Sequence, residues 1–146
     1  LEGPRAIHHL TSGKILAADM RLRRWFSPEQ IKIMREAVED HRASASHAPR
    51  SIYGKIVAEA DRDLRPETVF RRTVLYGLAH YPEKSEEEQW KRFVDHMENK
   101  YSAHGYIKLW IQNSPNQEAL RVIREIIVDK TLLRKEFDKY FGEETI

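Results

Sequence analysis

The chain has 146 residues, 25 Lys+Arg against 23 Asp+Glu, a net charge of +2 and no cysteine. That length suits one ordinary domain, and 40% hydrophobic with 33% charged residues describes a folded, well-solvated chain rather than a disordered one. Near-balanced charge gives no global field for a polyanion, and the missing cysteines exclude disulfides, thiolate metal sites and cysteine nucleophiles.

The opening Leu1-Glu2-Gly3-Pro4 reads as a loop and carries no Met, which predicts that the true start lies upstream. No basic segment followed by an apolar one marks a signal peptide. The best apolar stretch, Tyr106 to Ile111, is short and broken by Lys108, so no membrane span is expected and a cytoplasmic setting follows.

Helix signals run the length of the chain. Helices are expected at 7–19, 28–43, 51–64, 66–80, 86–103 and 115–141, with a short turn over Leu22 to Trp25. Ser27-Pro28-Glu29-Gln30 combines an N-cap Ser, Pro at the first helical position and Gln three residues after the cap, a capping box. Ser114-Pro115-Asn116-Gln117 repeats it, and Ser85-Glu86-Glu87-Glu88 adds an acidic first turn that suits the helix dipole. Arg65-Pro66-Glu67 offers another Pro-led start. A strand is conceivable only at Tyr106 to Ile111. The last helix carries Leu120, Ile123, Ile127, Leu133 and Phe137 on a broad apolar face that predicts core packing. The pattern defines an all-α fold.

Three polar residues stand where apolar ones belong. Ile31, Met34 and Val38 are followed at helical spacing by His41. Tyr53, Val57, Ala60 and Leu64 form a second stripe, with Asp61 on or beside it. In the first helix His9 shares a face with Gly13, Leu16 and Met20, and Gly13 admits a close backbone neighbour. A buried lone carboxylate is costly and needs a cation, donors or a metal. His9, His41 and Asp61 together suit a divalent metal such as Mn, Fe, Ni or Zn. Each also has a plainer reading: His41 as a satisfied core histidine, Asp61 as the partner of Arg62 or Arg50. Lys14, Arg21, Arg23, Arg24 and Trp25 form a basic patch that could touch nucleic acid. The near-neutral total favours a charged surface instead, with Trp25 tucked into the core.

His8-His9-Leu10-Thr11-Ser12-Gly13, then Glu39-Asp40-His41-Arg42-Ala43-Ser44, then Ala58-Glu59-Ala60-Asp61-Arg62-Asp63 resemble, in order and spacing, the HD superfamily of metal-dependent phosphohydrolases. Pro49 to Ile56 and Tyr106 to Trp110 extend the likeness to a bacterial HD-domain group, so the resemblance covers most of the chain. It implies one helical-bundle domain over 1–146 and a divalent ion (Mn, Fe, Ni, Zn or Mg) held by His9, His41 and Asp61. It also implies Asp40 as second-shell partner or base, with Arg42 and Arg50 on the phosphate of a nucleotide or other small phosphate ester. His8 could exchange roles with His9. The chain departs from the family in having no His-Asp doublet, which the resemblance would place before residue 1. The chain should then hold part of a metal site. The other expectation is a helical binding or regulatory module that keeps the fold without the chemistry.

Overall fold

A computed structural model describes residues 7–144. Among them the chain is all α, with seven helices, one 3-10 turn and no strand. No helix among the described residues is long and apolar enough to cross a membrane. Where the sequence predicts one domain, the chain divides into two compact units. The first comprises residues 1–62 with 108–112, and the second 63–107 with 113–146.

The first unit contains α1 (His8–Ala18), a 3-10 turn at Leu22–Arg24, α2 (Pro28–Asp40) and α3 (Ile52–Ala60). Helix α2 packs against both α1 and α3. The box at Ser27 forms as expected: Ser27 Oγ accepts from Gln30 N–H while Gln30 Oε1 accepts from Ser27 N–H. The apolar stripes form only part of the core they predict: Ile31 and Leu64 are buried, while Tyr53 and Val57 are exposed. The buried positions are Ile31, Ala37 and Asp40 on α2 and Gly54, Ala58 and Glu59 on α3. Met34, Val38, Tyr53 and Val57 instead line an open apolar groove of about 470 Å³. Small residues take the packed face because the backbones approach closely: a Cβ on Gly54 would sit 3.1 Å from Pro49 Cβ. Trp25 is 79% exposed, which corrects the expectation of a core position. The guanidinium of the neighbouring Arg21 is drawn onto Asp19.

The second unit contains α4 (Pro66–His80), α5 (Glu86–Tyr101), α6 (Pro115–Val128) and α7 (Lys130–Glu144). Its interior is aromatic and aliphatic: Phe70, Phe93, Phe137, Tyr101, Leu64 and Met97 are among its fully buried side chains. Phe93 lies 5.5 Å from Phe137 and 6.3 Å from Phe70 between ring centroids. Leu120, Ile123, Ile127, Leu133 and Phe137 are all buried, as their stripe predicts.

Two boundaries differ from the sequence reading. The expected helix over 115–141 is two helices, broken at Asp129. That residue is extended, and its Oδ1 accepts from Thr131 and Leu132 N–H, so it ends one helix and caps the next. The Ser114 motif forms only in part. Gln117 Oε1 accepts from Asn113 N–H, and Ser114 Oγ makes no cap hydrogen bond. Asn113 is left-handed at φ 57°, a conformation Asn tolerates, and this turns the chain away from the expected box.

Candidate functional site

The first turn of α1 and the last turn of α2 bring three imidazoles together. Gly13 permits the approach of the two helices, since a Cβ there would stand 2.7 Å from Glu39 Cγ. His41 caps the C-terminus of α2, and its Nδ1 lies 2.5 Å from Val38 O. A carbonyl only accepts, so Nδ1 carries the proton and Nε2 of the neutral ring keeps its lone pair. That Nε2 faces His8 Nε2 at 3.1 Å. In the neutral pair His8 therefore donates and His41 accepts.

His9 completes the cluster, its ring 5.7 Å from His8 and 6.4 Å from His41. Its Nδ1 is buried with no hydrogen-bond partner among the described residues. Burial first, then the positive charge of Arg42 and the neighbouring imidazoles, lowers the pKa of His9 against an opposing pull from Glu39. His9 is thus held neutral with an unsatisfied ring nitrogen. Such a buried group calls for an explanation, an ion or a ligand being two.

One residue before His41, Asp40 is 2% exposed. Its Oδ2 accepts from Arg50 N–H at 2.7 Å and its Oδ1 from Arg50 Nη2 at 2.8 Å. Arg50 Nη2 also reaches Glu39 Oε2 at 2.8 Å, and its Nη1 lies 3.8 Å from Glu36. Burial works to raise the Asp40 pKa. The hydrogen bonds from the Arg50 guanidinium and backbone outweigh it and hold the carboxyl below its ordinary value. A carboxylate so engaged is a weak base. This ladder pins the 41–50 loop to the end of α2, which revises both expectations: Asp40 is a clamp, and Arg50 is occupied by three carboxylates rather than offered to a phosphate.

Beyond α2 lies a cleft of about 160 Å³, lined by Asp40, Arg42, His47, Lys108 and Trp110 among others. Lys108 and Trp110 reach it from far along the chain. Buried Glu59 accepts from Trp110 N–H at 2.9 Å and Ile111 N–H at 3.4 Å. Arg62 Nη1 donates to Lys108 O at 2.5 Å. The segment at Tyr106 to Ile111 is thus no strand; side chains from the end of α3 fix its second half.

The structure brings His9 and His41 together, as the sequence suggests, and adds His8. It does not bring Asp61 to them. Helix α3 ends at Ala60, so Asp61 is the exposed residue beyond it, and a periodicity counted from Tyr53 no longer applies there. Among the described residues no group of three or more His, Asp or Glu side chains is arranged to hold a metal ion. Arg42 is half-buried and lines the cleft. Glu59 and Lys108 carried a weaker signal. Glu59 is a carboxylate set between Ala58 and Ala60, and Lys108 is the lone charge in an apolar run. No family model, curated protein or solved structure matches the chain.

Proposed function

We propose that the chain carries part of the divalent-metal site of a phosphohydrolase acting on a nucleotide or other small phosphate ester. The observation that carries this reading is the pair of facing nitrogens, His8 Nε2 and His41 Nε2, 3.1 Å apart with His41 oriented by Val38 O. Two nitrogens each about 2.0–2.1 Å from one ion stand roughly 2.9–3.4 Å apart, so the pair fits one ion. The backbone partner on the far nitrogen of His41 is the usual support of a ligating imidazole. On binding, the proton of the neutral His8 ring would sit on Nδ1 rather than Nε2, a change of tautomer. His9 supplies a neutral, unsatisfied ring nearby. Imidazole donors suit Mn, Fe, Ni or Zn better than Mg. When bound, the ion supplies polarisation of a phosphate oxygen and a more acidic water. Asp61 is not among the ligands in this arrangement.

The test is competition of the 146-residue chain with a chromogenic chelator for Zn²⁺, Ni²⁺ and Mn²⁺. His8→Ala and His41→Ala should each weaken binding by roughly tenfold or more. Unchanged uptake in the double variant would overturn the reading. Cleavage of p-nitrophenyl phosphate and a nucleotide panel by the full gene product then tests the reaction.

A second reading, an HD-like binding or regulatory module without catalysis, draws on the exposed position of Asp61 and the absence of a three-ligand group among the described residues. Binding of phosphate esters without turnover in the full gene product would select it.

A further inference from the structure

We propose that the cleft beyond the end of α2 is a subsite for one phosphate dianion, and that Lys108 joins Arg42 as its cation pair. The inference rests on the phosphohydrolase reading for the reaction it serves, but the subsite itself is built from residues of this chain alone.

Size is the first argument. A cavity of about 160 Å³ is roughly half the lower end of the range for drug-sized ligands. It has room for a small polar group, with the organic remainder of an ester outside. Charge is the second. The one carboxylate in the lining, Asp40, is already paired with Arg50, while Arg42 and Lys108 each bring a positive charge to the cleft. The carbonyl end of α2 disfavours an anion, so a single arginine is a poor match for the task and a second full cation is needed. Lys108 is that cation.

Construction is the third argument. A surface loop seldom needs buried charge to hold it, because water satisfies its backbone. Here a buried carboxylate, Glu59, takes two backbone N–H groups of the segment 108–112, and Arg62 takes the carbonyl of Lys108 itself. Arg62 does so against desolvation that lowers its pKa. Two charged side chains are thus spent on positioning the backbone on both sides of Leu109. Lys108 itself remains exposed at the cleft. This arrangement fixes the backbone from which the Lys108 ammonium reaches the cleft.

The test is calorimetric titration of the 146-residue chain with sodium phosphate and with methyl phosphate, at constant ionic strength and with a chelator present. Saturable binding is expected for both. Lys108→Gln should weaken it roughly tenfold and Lys108→Arg by no more than about threefold, as for a charge-assisted contact. Lys55→Gln, outside the cleft lining, should leave it within about twofold, which separates a local contact from general charge. Coincident thermal unfolding of the variants excludes a folding defect. Absence of saturable binding, an unaltered affinity in Lys108→Gln, or an equal loss in Lys55→Gln overturns the subsite. Failure here is distinguishable from failure of the function. Phosphate binding that depends on Lys108, without metal uptake or ester cleavage, removes only the phosphohydrolase reading. Metal uptake and cleavage indifferent to Lys108 remove only the subsite.

Discussion

The two units spend their residues differently. The fully buried large side chains, from Tyr101 and Phe93 to Leu133, belong to residues 63–107 and 113–146. The first unit buries Ala37, Ala58, Gly54 and Gly13, together with the charged Asp40 and Glu59. Ile31 is buried with them, but many of the unit's larger apolar side chains, including Met20, Trp25, Tyr53 and Val57, stay exposed. Hydrophobic burial scales with area, so the second unit draws its stability from transfer of large side chains out of water. The first draws more of its order from directed hydrogen bonds between charged groups. Directed bonds fix positions of polar atoms, and the first unit is where the imidazole cluster and the cleft are found.

The comparison breaks most sharply at Phe93. Phe93→Ala should cost about 3–5 kcal/mol in urea unfolding, as large-to-small changes in an aromatic core do. Tyr53→Ala, on an exposed side chain of the first unit, should cost less than about 1 kcal/mol. Similar costs would show that burial in the two units is not the distinction drawn here.

Acid separates the units next. His96, in the second unit, is pushed down to about 4 by burial, reinforced by Lys100, Arg92 and Arg72. Above its ordinary value of 6.5 it is neutral folded or unfolded and adds no pH dependence. As pH falls from there toward 4, the unfolded chain takes up a proton that the folded chain refuses, so stability declines by about 2–3 kcal/mol. Asp40, in the first unit, has a lowered pKa, so its contribution is full above the unfolded value and is lost as pH falls through the folded one. Stability measured against pH should therefore show a His96 step first and an Asp40 step below it. His96→Gln should flatten the first. Asp40→Asn should flatten the second at a cost near neutrality of about 2 kcal/mol, below the value for a sealed pair because the Arg50 side chain is 40% exposed. Steps that survive their own substitution would contradict these assignments.

The smallest effect belongs to Trp25. Trp25→Ser, at a side chain 79% exposed, should shift stability by no more than about 0.5 kcal/mol. A loss of several times that would mean the indole is covered in solution.

The all-α class, the helix starts at Ser27 and Ser85 and the apolar faces of α6 and α7 could be read from the sequence, because caps and periodicity are local. The break at Asp129 leaves only a faint trace, the six-residue step from Ile127 to Leu133 that falls off the helical spacing, and it is the acceptor role of the Asp129 carboxylate that ends one helix and begins the next. The stripes of α2 and α3 misled for another reason. Hydrophobicity marks large residues, whereas the face that packs here is made of small ones. In the candidate site, His41 and Arg42 were legible as polar residues at a helix end. His8 was not preferred over His9 because neighbours at the start of a helix differ by a third of a turn, and the first turn has no preceding residues to set its face. Lys108 owes its position to Glu59 and Arg62, a relation no local pattern contains.

The first unit is assembled from two separate pieces of chain, and Glu59 and Trp110 lie 51 residues apart. During synthesis its helices leave the ribosome before the segment that receives the hydrogen bonds of Glu59 and Arg62. At about 5–20 residues per second the interval is roughly 3–10 s. Over that interval a carboxylate and a guanidinium that hold the 108–111 backbone have only water, and the nascent cleft lacks one wall. The second unit is likewise incomplete until α6 and α7 emerge. Translation past Gln112 is thus the earliest moment at which the cleft can close, and the order of synthesis itself keeps it unformed until the segment 108–112 exists.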